Sequence, residues 1–436
     1  MRKTALLTIA GLFLSVSFAG AQAPVAKTAS AGQRAQDTGS ALTLQDCYRL
    51  ALQQSEIIAI DSEAIKEAEA HFLQAFGTLM PQVSFVSQNS WTDPHAASAT
   101  QRKNGYERRF SFTQTLFSGF KEFAGMSAST LERNERVNEK TRAEQLLFTD
   151  VSDAFYLFSE QLEDLRILET IKNALTNRIE ELGQREKLGR SRRSEVVNTQ
   201  VQFYVVKAEI ELAKSQVELA RQLLEFLVGR PVASVIDSAK EMPSLDTEAN
   251  YILKVALRPD VKAAELAWGL AKKEITVARS GFFPSVSLGS SYYQHRTTAP
   301  VKSRWDTMLT VDIPIFEGTT TFGAVKLANA HAAQAELQFQ RTKRLAAQDI
   351  RNSYLRLTTS IARNQALQNA LSAAELNYAL QRQDYKLSLV NNLDVLQAIQ
   401  SLAETRRNAT QTHFETKRLY WQLQVALGES LAENIK

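Results

Sequence analysis

Apolar residues recur in steps of three and four along two stretches of the chain: Val151, Phe155, Phe158, Leu162 and Leu165, then Ile350, Tyr354, Leu357 and Ile361. That spacing lines one stripe of an α-helix, and when sustained it is the seam of a coiled coil. Residues 95–230 and 315–436 contain no proline, and residues 324–427 contain no glycine. Proline costs about 3 kcal/mol inside a helix and glycine about 1 kcal/mol, so the pattern predicts very long helices. From Gly119 to Gly189 a helix would run ~105 Å at ~1.5 Å per residue, several times the ~20 Å radius of a globular domain. Helices of that length must pair with one another outside any compact core.

Four shorter segments change period. Trp305, Thr307, Leu309, Val311, Ile313 and Ile315 alternate with Asp306, Met308, Thr310, Asp312 and Pro314. Phe110, Phe112 and Leu116 alternate with Ser111, Thr113 and Thr115, and residues 82–91 and 285–295 alternate more weakly. The period of two predicts strands at 82–91, 106–117, 285–295 and 305–316. Each is about 11 residues, enough for a tilted strand to cross a bilayer, although alternation alone fits soluble hairpins equally well.

The whole pattern occurs twice. Displacing the sequence by 199 residues sets Phe117-Ser118-Gly119 over Phe316-Glu317-Gly318, Leu188 over Leu387, Val196 over Val395 and Val228-Gly229 over Leu427-Gly428. At a displacement of 203, Gly77–Phe85 lies over Ser280–Leu288. The expectation is an internal duplication, with each half one copy of the same unit. The resulting domain organisation is a first repeat at 41–230, a linker at 231–250, a second repeat at 251–428 and a short tail at 429–436.

Residues 1–23 read as a secretory signal: Arg2 and Lys3, an apolar stretch from Ala5 to Phe18, then small residues ending at Ala21 or Ala23. Residues 24–40 read as a flexible leader. No later apolar run is long enough for a transmembrane helix. The single cysteine, Cys47, has no intrachain disulfide partner and reads as a small half-buried apolar side chain near a helix start. With 17 glycines and 9 prolines in 436 residues, the chain has about half the usual share of turn formers. The formal net charge of +4 falls by two once Arg2 and Lys3 are removed, which argues against a nucleic-acid partner.

An exported chain with four span-length strands, aromatic residues at their ends (Trp91, Tyr106, Tyr292, Tyr293, Trp305) and polar loops at 92–105 and 296–303 fits an outer-membrane barrel. Four strands cannot close by themselves, because an open edge in lipid leaves backbone groups without partners. Several chains must therefore share one barrel.

At this point the sequence resembles the TolC family of outer-membrane efflux proteins, over essentially the whole chain after the signal. The carrying features are the duplicated unit, Leu79-Met80-Pro81-Gln82, the run Phe112-Thr113-Gln114-Thr115-Leu116-Phe117-Ser118-Gly119, and Ile313-Pro314-Ile315-Phe316-Glu317-Gly318. Leu257-Arg258-Pro259-Asp260, Tyr385-Lys386-Leu387-Ser388-Leu389 and Leu393-Asp394-Val395-Leu396 add to it. The resemblance implies a mainly α fold with a membrane β-barrel contribution: a homotrimer, a twelve-stranded barrel with four strands per chain, and antiparallel coiled coils forming a periplasmic tunnel. It also implies an outer-membrane location in a Gram-negative cell, a periplasmic adaptor protein, and an inner-membrane transporter of the RND, ABC or MFS type.

The same resemblance assigns roles at the two tip turns, 187–195 and 386–394. Leu188-Gly189-Arg190 and Leu387-Ser388-Leu389 fall where the family docks its adaptor, with Arg190 in place of an apolar or small residue and Ser388 in place of glycine. Glu195 falls on an acidic gate position that pairs with a tyrosine, here Tyr385. Asp394 falls on a carboxylate ring, Gln397 replaces a second ring carboxylate, and Val390 replaces a gate arginine, so the expected gate is looser and less cation-selective than the family pattern. Asp394 also fits a simple helix-capping role. The arginines 185, 190, 192 and 193 read first as a solvated turn.

No catalytic constellation is present. His71, His95, His295, His331 and His413 are scattered, without metal-ligand spacing, and no phosphate-cradling glycine loop or CxxC pair occurs. The expectation is no enzyme, no cofactor and no metal. The leading reading is a passive outer-membrane channel-tunnel serving a tripartite efflux pump or a type I secretion system. Its rival is a soluble periplasmic coiled-coil adaptor or scaffold without a barrel, and a secreted hydrolase lacks the convergent polar site it would need.

Overall fold

The computed structural model describes residues 41–91, 104–237, 245–297 and 303–429. The signal at 1–23, the leader at 24–40, most of both polar loops, the centre of the linker and nearly all of the tail lie outside the described residues.

The element order is α1 (Leu44–Gln54), α2 (Glu56–Gly77), β1 (Gln82–Trp91), β2 (Asn104–Ser118), α3 (Lys121–Lys187), α4 (Arg193–Val228), α5 (Glu248–Leu253), α6 (Pro259–Arg279), β3 (Ser285–Arg296), β4 (Trp305–Asp312), α7 (Thr320–Lys386) and α8 (Asn392–Leu427). The chain is mainly helical, and α3 and α7 each hold 67 residues, α4 and α8 each 36. At ~1.5 Å per residue the long pair runs ~100 Å. Among the described residues no helix is long and apolar enough to cross a membrane.

Local chemistry sets the boundaries. Thr43 and Asp46 form a reciprocal capping box that opens α1, Ser55 Oγ accepts from the Ile58 N–H to open α2, and Pro259 begins α6, where its missing N–H would be unbonded anyway. Gly229 and Gly428 end α4 and α8 with the same φ of 74°, a left-handed turn that glycine enters without side-chain strain.

The helices pack as two hairpins, α3 with α4 and α7 with α8, joined where α3 meets α8, while α6 lies against both α3 and α7. The main core collects Phe148, Phe155, Tyr156 and Phe158 from α3, Leu224 and Val228 from α4, Cys47 and Ala51 from α1, and Trp421 and Val425 from α8. A second core joins Ile350 and Leu357 of α7 to Leu423 and Leu427 of α8. The expected seam holds at Val151, Phe155, Phe158, Ile350 and Leu357, all buried, but Leu162 and Ile361 are each 37% exposed. An α-helix drifts from a strict heptad, and further along α3 the buried line resumes at Leu168, Leu175 and Leu182. Cys47 is fully buried rather than half-buried, and burial pushes its thiol up to about 12.

Between helix cores, Arg258 is 3% exposed. It donates to Asp260, to Asp349 Oδ2 at 2.9 Å and to the Ala426 carbonyl at 2.9 Å, tying α6, α7 and α8 together. Burial alone would raise Asp260, but the Arg258 guanidinium outweighs it and holds the carboxyl below its ordinary value.

The strands form one antiparallel sheet in the order β1-β2-β3-β4. Its register assembles rows. Phe85, Phe110, Tyr292 and Trp305 lie side by side across all four strands, and the adjacent row, facing the other way, is Ser84, Ser111, Ser291 and Asp306. One face is therefore apolar and aromatic and the other polar. The strands differ from expectation at their ends: β2 begins at Asn104, and β4 stops at Asp312 instead of 316. Pro314 has no N–H to give a ladder, which fits the early stop.

Candidate functional site at the helix tips

Both hairpins turn through the same backbone. In the first, the Gly189 N–H donates to the Glu186 carbonyl at 2.9 Å and the Arg190 N–H to the Arg185 carbonyl at 2.8 Å. In the second, the Ser388 N–H donates to the Tyr385 carbonyl at 3.0 Å and the Leu389 N–H to the Asp384 carbonyl at 2.9 Å. The second bond of each pair spans six residues and closes a Schellman-type end, which requires a left-handed residue. Gly189 has φ 69° and Ser388 has φ 60°.

The expected docking residues stand out from the turns. Leu188 is 70% exposed, Leu387 62% and Leu389 70%, with Gly189, Ser388 and Arg190 exposed beside them. Arg192 and Arg193 are also exposed, whereas Arg185 is half-buried and pairs with Glu181 at 3.7 Å.

Behind each turn the returning helices are anchored. Asn391 caps α8, its Oδ1 accepting from the Leu393 and Asp394 N–H groups at 2.7 and 3.2 Å, and Asp394 Oδ2 accepts the Asn391 N–H at 3.0 Å. Asp394 is thus the acidic member of a capping box. Gln397 is exposed on the same helix. Glu195, in the first turn of α4, accepts from Ser191 Oγ at 2.6 Å. Tyr385 is buried with Leu182, Val196, Val395 and Ile399, and Val390 packs against that cluster. Val196, next to Glu195, packs in the Tyr385 cluster, but the Glu195 carboxylate bonds Ser191.

The Tyr385 ring instead lies between two guanidinium groups, Arg178 at 3.6 Å from its centroid and Arg185 at 4.6 Å. Cation–π contacts of this kind strengthen when desolvated. The Arg178 side chain is 5% exposed. Its Nε donates to Asn392 Oδ1 at 2.9 Å and its Nη1 to Glu181 at 2.9 Å, while Nη2 finds no hydrogen-bond partner among the described residues. Asn392, 2% exposed, donates in turn to Thr199 Oγ1 at 3.3 Å and to the Glu195 carbonyl at 3.4 Å. Arg178 and Asn392 therefore knot α3, α4, α7 and α8 just behind the turns. Sequence reasoning passed over both. The available signals were the Asn391-Asn392 pair at a helix start, and an arginine set between the apolar seam positions Leu175 and Leu182.

Further along, Arg407 of α8 pairs with Asp164 of α3 at 2.6 Å and with Glu209 of α4 at 3.3 Å, and Gln400 donates to Gln202 at 2.7 Å. These bridges tie α8 to both α3 and α4. Among the described residues no group of three or more His, Cys, Asp or Glu side chains is placed to hold a metal. Burial lowers His413, and His71 contacts Glu132 at 3.1 Å.

The profile of the family described as "Outer membrane efflux protein" matches residues 254–429, the span from the end of α5 through α8. Over that span the chain is similar to the outer membrane efflux protein family. Related proteins match over most of their own length. The cation efflux system protein CusC of Escherichia coli (strain K12) is 26% identical over 386 residues, covering 84% of this chain and 81% of CusC. The alkaline protease secretion protein AprF of Pseudomonas aeruginosa is 24% identical over 405 residues, covering 86% of this chain and 82% of AprF. The outer membrane protein TolC of Vibrio cholerae is 21% identical over 365 residues, covering 80% of this chain and 82% of TolC. The fold matches the crystal structure of the outer membrane protein VceC from Vibrio cholerae with a TM-score of 0.78 at 21% identity, over 89% of this chain and 96% of VceC. It also matches the open state of the Neisseria gonorrhoeae MtrE outer membrane channel, with a TM-score of 0.76 at 19% identity, over 89% of each chain.

Proposed function

We infer that this chain is one third of a trimeric outer-membrane channel-tunnel, which passively conducts substrates across the periplasm and the outer membrane. The observation that carries this reading is the two-faced sheet with two open edges. β1 and β4 bound it, one face is apolar and the other polar. In lipid such edges must be closed by other copies, and three copies make twelve strands. The helical layer supports the same closure: its outer members α4 and α7 expose apolar lines, Val201, Leu212, Leu219 and Phe226 on one and Leu327, Leu337, Leu345 and Leu376 on the other. A neighbouring copy can cover both.

The equal lengths of α3 and α7, and of α4 and α8, at the 199-residue displacement support an internal duplication. The tunnel's partners are an outer-membrane lipid surround, a periplasmic adaptor docking on Leu188-Gly189-Arg190 and Leu387-Ser388-Leu389, and an inner-membrane transporter. Glu195, Tyr385, Asp394 and Gln397 belong to the periplasmic gate, and Arg178 and Asn392 are the knot that holds it. The chain has no catalytic step.

The test is fractionation and electrophoresis of the native protein. The channel reading expects recovery with the outer membrane, a heat-dissociable trimer band, and steps of conductance in planar bilayers. A monomer stable in plain buffer, without conductance, would instead favour a soluble coiled-coil adaptor.

A further inference from the structure

The polar face of the sheet carries one feature that passage through the periplasmic tips does not explain. At the loop-facing end, past the serine row, charged side chains from three strands meet. Arg109 Nη1 of β2 contacts Glu107 at 2.5 Å. Arg296 of β3 reaches Glu107 at 3.7 Å and Asp306 of β4 at 3.9 Å. Tyr293 donates to Asp306 Oδ2 at 2.7 Å, and Arg296 covers its ring at 4.2 Å. A register shift between Arg108 and Arg109 brings Glu107 opposite Arg296 and Arg109 opposite Tyr293, so the bulge re-aims these groups onto one face. Although the sheet is open, the Glu107 and Arg296 side chains are only 13% and 16% exposed. They are held by one another instead of spreading into solvent.

We propose that Glu107, Arg109, Arg296 and Asp306 form a charge filter on the lumen side of the barrel mouth, at the opposite end of the molecule's path from the tip gate. The proposal rests on the barrel reading above. Two arginines and two carboxylates per chain, repeated around a closed barrel, set alternating fixed charges on the wall that every departing solute passes. Rings of charged side chains select ions by sign, and here that selection is set by the balance between the two signs. Removing one member tips it: without Glu107 the arginines dominate, and without Arg296 the carboxylates do.

The experiment uses the full-length protein in intact cells. Cys47 is fully buried and leaves the background unreactive. Thr113→Cys places a thiol on the polar face, in register with Gly289 and Met308, and Leu309→Cys places one on the apolar face. Both are treated from outside with thiosulfonate reagents of equal size, one cationic and one anionic. The barrel reading expects Thr113→Cys to react and Leu309→Cys not to react. The filter expects Glu107→Gln to raise the anionic-to-cationic rate ratio at position 113 about threefold or more and Arg296→Gln to lower it similarly, both shifts shrinking in high salt. A ratio that is unchanged, or that moves the same way in both variants, overturns the filter and leaves the barrel standing. Failure of Thr113→Cys to react in every background also overturns the filter. Equal reaction at 113 and 309 would overturn the barrel itself.

Discussion

Gly189 and Ser388 hold the same left-handed turn position in the two hairpins, with φ of 69° and 60°. Only one of them is a glycine. A non-glycine residue in this region costs about 1 kcal/mol, so the second tip turn is the more strained of two otherwise matching ends. Ser388→Gly is expected to stabilise that turn by about 0.5–1 kcal/mol, and Gly189→Ala to destabilise the first by about 1 kcal/mol. Amide hydrogen exchange at Leu389 and Arg190, whose N–H groups close the two turns, is the measurement. Slower exchange at Leu389 in the Ser388 variant is the expected sign, and no change would argue that the turn is unstrained.

Arg178 and Asn392 are predicted to act as one unit, because the 2.9 Å bond between them is buried and Asn392 passes the connection on to Thr199 and Glu195. Arg178→Gln and Asn392→Ala should each raise single-channel conductance. The double variant should add little to either, with non-additivity of about 1–2 kcal/mol in thermal unfolding. Additive effects would mean the two residues act separately.

Asp394 caps α8, and the lumen charge proposed for it is a second role that substitution can separate. As a capping acceptor for the Asn391 N–H it contributes about 1 kcal/mol, lost in Asp394→Ala. As a lumen charge it is lost in Asp394→Asn as well, which keeps an acceptor oxygen. Reduced cation block in both variants, with the larger fall in thermal midpoint in Asp394→Ala, is the expected outcome. Unchanged block in both would remove the charge role.

Asp153 of α3 accepts from Gln422 of α8 at 3.1 Å, and burial raises its carboxyl above the ordinary value. A raised carboxyl pKa means that the charged form is the less stable one in the fold. Its contribution therefore improves as pH falls through the raised value, toward the unfolded value near 3.8. Asp153→Asn should accordingly raise the thermal midpoint at pH 7, with a gain that shrinks on acidification and vanishes below about pH 4. A gain independent of pH would assign it to packing.

The long helices and the strands were legible because their signals are local and periodic. Absence of proline and glycine, steps of three and four, and alternation of polar and apolar positions each act on the backbone within a few residues. Gly229 and Gly428 end α4 and α8 by equally local means. Leu162 and Ile361 leave the buried seam because a seam continues only while the partner helix follows it, and that depends on crossing geometry. Cys47 is more buried than its sequence suggests because a single small residue carries no record of the helices, α3 and α4, that pack on α1. The Arg178–Asn392 knot spans 214 residues of sequence, and each half looks like an ordinary solvated residue until the other arrives.

What the sequence determined unaided was the set of long rods and short ribbons, because those follow from backbone propensity and side-chain period. Only the tertiary structure decided which buried polar groups tie the rods together at the tips and which charges share the polar face of the sheet. Those pairings depend on strand register and helix crossing, quantities fixed by packing among residues far apart in the chain.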